Sequence, residues 1–379
     1  MAGDRFKALK AGVFSTPMAN GREVDFIMPN MMITRTGSYL PSLKIPNRHF
    51  MGHQFFNPDG TKITKSTVDV IEKLENITCI KNRRYVEKDL NTSDIAFQAA
   101  RQALHGVDKE KLDAIIVAHN FGDVRADNRR SDLVPTIAAR VKHHLKIENP
   151  YTVAFDIPFG CPGWLQGMII ANYYIQSGDA KKILVIGAET LSRVSDPHDI
   201  DSMIYSDGAG ATLVESTDSD VGVLSHVTRS DTLNHAYLLK LDQSYNPEHD
   251  RNDLFMKMHG HEIYKYALKV VPEVVKECLE KAGLNLTDVK KILIHQANEK
   301  MDEAILKRLF KLYRIKEIPE DVMPMTISWL GNSSVATLPT LLDLLQRGQL
   351  ENHRLDPGDV VVFASVGAGM NINAMVYRM

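Results

Sequence analysis

The feature that most limits the fold of this chain is a run of four landmarks in its first half that returns, in the same order, in its second. The first series opens with Asp113-Ala114-Ile115-Ile116-Val117-Ala118-His119-Asn120. An apolar run at 152–157 follows, leading into Cys161 and a helical pattern at 164–171. Next comes Lys182-Ile183-Leu184-Val185-Ile186-Gly187-Ala188-Glu189, and Gly208-Ala209-Gly210-Ala211-Thr212-Leu213-Val214-Glu215 closes it. The second series is Lys291-Ile292-Leu293-Ile294-His295-Gln296-Ala297-Asn298, then 325–331 leading into a helix over 334–345, then 359–366 and 373–377. Apolar runs that end in polar residues read as buried parallel strands, and helical stretches at 96–105, 263–282 and 301–313 separate them. The pattern predicts an α/β fold made of two similar halves, 31–217 and 218–379, after an N-terminal extension at 1–30 of unknown role.

Active groups in such folds gather at the carboxyl ends of strands. Cys161, His295 and Asn332 all fall at these ends. If the halves pack about a pseudo-twofold axis, Cys161 and Asn332 come from equivalent helix starts and face one another. Cys161 is the strongest candidate nucleophile, because the first turn of a helix offers unpaired N–H groups and positive dipole charge, which lower a thiol pKa. Gly160 and Gly163 let backbone approach whatever the sulfur attacks. The plainer alternatives are a buried structural cysteine at Cys161, a polar strand cap at His295, and a helix N-cap at Asn332.

A net charge of −2 leaves no nucleic-acid footprint, and no stretch approaches the roughly 20 apolar residues that span a bilayer. Three scattered cysteines, none at a C-x-x-C spacing, argue against a disulfide framework or a metal site and point to a reducing cytoplasm. Asp4, Arg5, Lys7 and Lys10 interrupt the apolar residues of the N-terminus, so no secretory signal is expected.

Taken together, Thr36-Gly37-Ser38-Tyr39-Leu40-Pro41, Cys161-Pro162-Gly163, Ser206-Asp207-Gly208-Ala209-Gly210-Ala211, His295-Gln296-Ala297-Asn298, Gly331-Asn332-Ser333-Ser334 and Val366-Gly367-Ala368-Gly369 resemble the thiolase superfamily. Within it, the chain is most similar to the β-ketoacyl-acyl carrier protein synthase III group, from about residue 33 to 379. The resemblance implies a layered α-β-α-β-α fold and a Cys161–His295–Asn332 triad. It also implies an oxyanion hole from the N–H groups of Cys161 and Ala368, contacts to pantetheine at Asn298 and Gly367, and a basic carrier contact at Lys300. The implied partners are an acyl carrier protein, acyl and malonyl thioesters and a second copy of the chain; no cofactor or metal is implied. The implied reaction acylates Cys161 and then performs a decarboxylative Claisen condensation, serving fatty acid or related lipid biosynthesis.

Several alternatives stay open at this point. A synthase of the superfamily that joins two acyl chains or makes a small polyketide uses similar residues. A papain-type hydrolase has the same Cys, His, Asn order but lacks its signature here, and a carrier-binding scaffold would tend to lose the nucleophile. The chain also departs from the priming pattern. Lys73 and Ile77 stand at or near the places of an adenine-stacking Trp and a nucleotide Arg, which favours a carrier-protein donor over coenzyme A. The charged 122–132 segment is either a solvated loop or a tunnel lip, and Asp207-Gly208-Ala209-Gly210 reads as a close-packing turn. His119 is expected to line the pocket or to act structurally.

Overall fold

The strand series form two sheets. In the first the order is Asn30–Tyr39, Asp207–Thr217, Lys182–Thr190, Ala114–His119, Val153–Pro158. The last three run parallel, and Asp207–Thr217 is antiparallel to both of its neighbours. The second sheet, Gly222–Ser230, Asn371–Arg378, Val360–Gly367, Val289–Ile294, repeats the antiparallel, antiparallel, parallel order. This computed structural model describes residues 28–379 and, before them, the backbone of the paired strands Val13–Pro17 and Glu23–Ile27. The rest of the 1–30 extension lies outside the described residues.

Alternation along the strands sorts side chains into three layers of core. Ile116, Ala118, Ile183 and Val185 from one sheet meet Val361, Phe363, Met375 and Tyr377 from the other around two helices, Gly163–Ser177 and Thr337–Gln346. The intervening residues Ile115, Val117, Leu184 and Ile186 face outward onto helices Thr92–Ala103 and Ile137–His144. Val360, Val362, Ala374 and Val376 face helices Gly260–Ala282 and Glu299–Leu312. The layering is therefore α-β-α-β-α, as the resemblance implied. The two middle helices are apolar nearly all round, as a helix pressed between two sheets must be. Trp164 is buried there edge-to-face with Phe363 at 5.8 Å; truncating such a ring to Ala costs about 3–5 kcal/mol.

The duplication is incomplete at one place. Residues 325–331 occupy the position of the Val153–Pro158 strand, yet they form a single helical turn, Ile327–Leu330, and the second sheet has four strands. Gln296 explains the difference. Its Oε1 accepts the Thr326 and Ile327 N–H groups at 2.8 and 3.1 Å, and its Nε2 donates to the Pro324 carbonyl at 2.8 Å. Donors that would pair with a neighbouring strand are thus taken by one side chain.

Two local readings also change. Asp207-Gly208-Ala209-Gly210 opens a strand rather than forming a turn, with Gly210 packed on Pro339 of a middle helix, so the close packing is present without the turn. The 122–132 segment is an antiparallel hairpin, Asp123–Arg125 with Asn128–Asp132, braced by Arg140 to Asp123 and Asp132. His119 is structural: its Nε2 pairs with Asp156 at 3.0 Å and its Nδ1 accepts the Gly122 N–H at 3.0 Å.

Candidate active site

The chain leaves the Val153–Pro158 strand through Phe159 and Gly160, the latter at φ 72°, and turns at Cys161 into the middle helix, with Pro162 as its N-cap. From the other half, Val360–Gly367 ends against the same point. A Cβ on Gly367 would stand 2.6 Å from the Cys161 nitrogen, so only glycine lets the two backbones meet. Ala368 follows beside Gly160. Among the described residues, neither the Cys161 nor the Ala368 N–H is taken by a hydrogen bond to another residue. The two donors implied by the resemblance thus lie close together with no partner in another described residue.

Ser334 links the three triad candidates. Its hydroxyl donates to Cys161 Sγ at 3.2 Å, and its N–H donates to Asn332 Oδ1 at 2.8 Å. His295 is buried against the Ser334 main chain. Desolvation takes the imidazole down to about 4, so at neutral pH the ring is uncharged and offers one N–H. Its backbone N–H is bound to the Ala364 carbonyl at 2.9 Å, which fixes the strand end that carries it.

The expectation of a lowered thiol pKa is overturned. Burial pushes the Cys161 thiol up to about 11; the Ser334 hydroxyl pulls it down and the nearby carboxyl of Glu189 adds to the rise. Removal from water outweighs the helix-start donors here, and the resting sulfur holds its proton. Cys161 opens onto a cavity of about 440 Å³ whose walls include Phe121, Phe159, Leu239, Leu241 and Met256, with Ser334 and Ala368 beside the sulfur. The surface is chiefly apolar, which suits an acyl chain.

The outlying candidates are dispersed. Asn298 caps the Glu299–Leu312 helix, its Oδ1 accepting the Met301 N–H at 3.1 Å. Lys300, in the first turn of that helix, is exposed and lies near Cys79. Lys73 and Ile77 line a separate cavity of about 640 Å³ together with Lys62, Lys65, Leu74 and Ile200, and no aromatic ring lines it.

Comparison with known proteins bears on the family and the fold. The family model for 3-oxoacyl-[acyl-carrier-protein (ACP)] synthase III matches residues 155–232, and the model for its C-terminal part matches 279–379. A β-ketoacyl-[acyl-carrier-protein] synthase III of Staphylococcus aureus (strain JH1) is 30% identical over 354 residues, covering 92% of this chain and 99% of that protein. The chain belongs to the β-ketoacyl-[acyl-carrier-protein] synthase III family. As a member of this family, it is an acyltransferase of the condensing type with a thiolase-like fold. The solved 3-oxoacyl-[acyl-carrier-protein] synthase III of Aquifex aeolicus VF5 matches with a TM-score of 0.74 at 28% identity, over 92% of this chain and 100% of that one. The Thermus thermophilus synthase matches at 0.75 and 28%, over 92% and 99%.

Three polar residues beside the sulfur were missed as site residues by sequence reasoning. Ser334 stood only inside a motif, while Asn120 and Glu189 were read as the polar ends of buried strands. The signal was available: Asn120 and Glu189 stand at the carboxyl ends of their strands, the same end of the sheet from which the chain reaches Cys161, where active groups collect.

Proposed function

We propose that Cys161, His295 and Asn332 carry the family reaction in this chain, with acyl carrier protein as the thioester partner. An acyl thioester transfers its acyl group to Cys161 Sγ; the sulfur–acyl bond forms, the donor's carbon–sulfur bond breaks, and the departing thiol takes the cysteine proton. The free N–H groups of Cys161 and Ala368 are the donors for the oxyanion of that step. A malonyl thioester then loses carbon dioxide, and the electron pair left behind forms an enolate. Neutral His295 and the Asn332 amide stabilise its oxygen by donating hydrogen bonds. The enolate carbon attacks the acyl-cysteine, giving a β-ketoacyl thioester and returning the thiolate, which recovers a proton.

The observation that carries this reading is the convergence on Ser334: a nucleophile from one half and two donor residues from the other meet at one residue, beside an apolar cavity. Residues 31–217 thus supply the nucleophile and 218–379 the enolate donors. We further propose a cytoplasmic homodimer. Val153–Pro158 is the outer strand of its sheet, and Tyr151, Val153 and Tyr173 beside it are 85%, 58% and 53% exposed. An open edge with apolar neighbours is what a second copy covers. Asn298, Gly367 and Lys300 are proposed for the pantetheine arm and the acidic carrier. Lys73 and Ile77, in a cavity lined by no aromatic ring, favour the carrier-bound donor.

The test is incubation with a panel of acyl-coenzyme A and acyl-carrier donors, read by intact mass and by product. Acylation of Cys161 with a β-ketoacyl product in the presence of malonyl carrier is expected. Free acid as the main product would favour a hydrolase, and a product containing both whole acyl chains would favour chain joining.

A further inference from the structure

Behind Cys161 lies a chain of hydrogen bonds that the proposed chemistry does not use. Glu189, wholly buried at the end of the Lys182–Thr190 strand, accepts two hydrogens on the same oxygen, from the Asn120 main chain at 2.9 Å and the Asn120 amide at 2.5 Å. The amide's second hydrogen goes to Ser334 Oγ at 3.0 Å. The serine hydroxyl, already accepting there, sends its single hydrogen to Cys161 Sγ at 3.2 Å. Oε1 of Glu189 is buried without a partner among the described residues.

Each link has one free choice, its direction, and the carboxylate makes that choice. An ionised carboxylate only accepts, so the Asn120 amide must turn nitrogen toward it, and Ser334 must then donate to sulfur. A protonated carboxyl still accepts the Asn120 main-chain N–H, but its own hydrogen lets both side-chain links run the other way. The amide oxygen would face Glu189 and would also draw the serine hydrogen, leaving the sulfur without its donor. We infer that Glu189 and Asn120 are positioning residues for the nucleophile: the charge on Glu189 decides whether the Ser334 hydroxyl points its hydrogen at Cys161. This rests on Cys161 being the nucleophile proposed above.

The pH at which the direction changes lies in the working range. Burial raises the Glu189 carboxyl to about 7; His119, from the Ala114–His119 strand, pulls the other way, as do the Asn120 bonds, and Asp207, from the antiparallel neighbour, adds to the rise. Tyr205, Cys161 and His295 are further ionisable groups around the sulfur, and all three are held neutral by burial. The neighbouring helix Thr92–Ala103 contributes a neutral contact, Thr92 to Thr190.

Charge and direction act oppositely, which makes the inference testable. As a bare negative charge, Glu189 hinders thiolate formation, so neutralising it should speed Cys161. As the director of the chain, it supplies a charge-assisted hydrogen bond, so neutralising it should slow Cys161.

The experiment is alkylation of the full chain by iodoacetamide between about pH 5 and pH 9, with the modified cysteine mapped by peptide mass. The wild-type rate should steepen near pH 7. Above that pH, Glu189→Leu, which leaves the Asn120 amide no acceptor, should react about tenfold slower or more, as loss of one hydrogen bond to a charged sulfur requires. Ser334→Ala should lose the steepening although it keeps Glu189, and it carries the test if the Glu189 variant does not fold. Glu189→Leu reacting as fast as wild type or faster, or a persistent inflection in Ser334→Ala, overturns the inference alone. Labelling of Cys79 in place of Cys161 overturns the underlying reading as well.

Discussion

Asn332 has two structural roles that one substitution separates by size. Its Oδ1 accepts the Ser334 N–H at 2.8 Å, which holds the turn before the 3-10 segment Ser334–Ala336 and the middle helix. Its amide nitrogen is the proposed donor to the malonyl-derived enolate. Asn332→Ala removes both. Loss of a capping acceptor costs about 1 kcal/mol, which in a chain of this length lowers Tm by about 1 °C, since unfolding entropy scales with residue number. Loss of an oxyanion donor costs about 100-fold or more in rate, roughly 3 kcal/mol. The variant should therefore unfold almost normally and still accept an acyl group on Cys161, while carbon dioxide release from malonyl carrier falls by about two orders of magnitude. Calorimetry, intact mass and release of labelled carbon dioxide measure the three quantities on one preparation. A variant with lowered Tm and normal carbon dioxide release would mean that Asn332 is only a cap, and the donor assignment would be refuted.

Other consequences are equally direct. Gly367→Ala would set a methyl group 2.6 Å from the Cys161 nitrogen and 2.7 Å from Pro162 Cδ; overpacking of this kind costs about 1–3 kcal/mol. Acylation should slow with it, whereas Gly260→Ala, with open space at its Cβ, should be silent in both stability and acylation assays. Lys300→Glu should weaken the acyl-carrier donor more than the same acyl group on coenzyme A, and the difference should shrink with salt, since exposed charges are screened over about 10 Å at 0.1 M. For Glu189, the folded pKa of about 7 lies above the ordinary glutamate value of 4.5. Its contribution to stability is therefore full below the unfolded pKa and lost as pH rises through about 7. Glu189→Gln should gain Tm relative to wild type between about pH 5 and pH 8, and an unchanged difference across that range would contradict the burial argument.

The layered fold was legible because strand and helix periods are local, and because the two series keep the same order. The proximity of the three candidates was legible for the same reason: Cys161 and His295 follow the carboxyl ends of strands, and Asn332 holds the place in the second half that Cys161 holds in the first. What the sequence could not give were properties set by what packs around a residue. Helix-start donors argued for a lowered Cys161 pKa, but the depth of burial that reverses the sign comes from both halves together. Residues 325–331 look like a strand, and only the fold brings the Gln296 side chain to their N–H groups. Glu189 reads as the end of a buried strand, and its link to sulfur through Asn120 and Ser334 spans three distant segments.

The most direct test of the whole account is a rapid-quench intact-mass experiment on wild type, Cys161→Ala and His295→Ala, each given an acyl donor and then malonyl carrier protein. The account predicts one acyl group on Cys161 in wild type and in His295→Ala, none in Cys161→Ala, and β-ketoacyl carrier only from wild type. Acylation of Cys79 or Cys278, or ketoacyl product from Cys161→Ala, would contradict it.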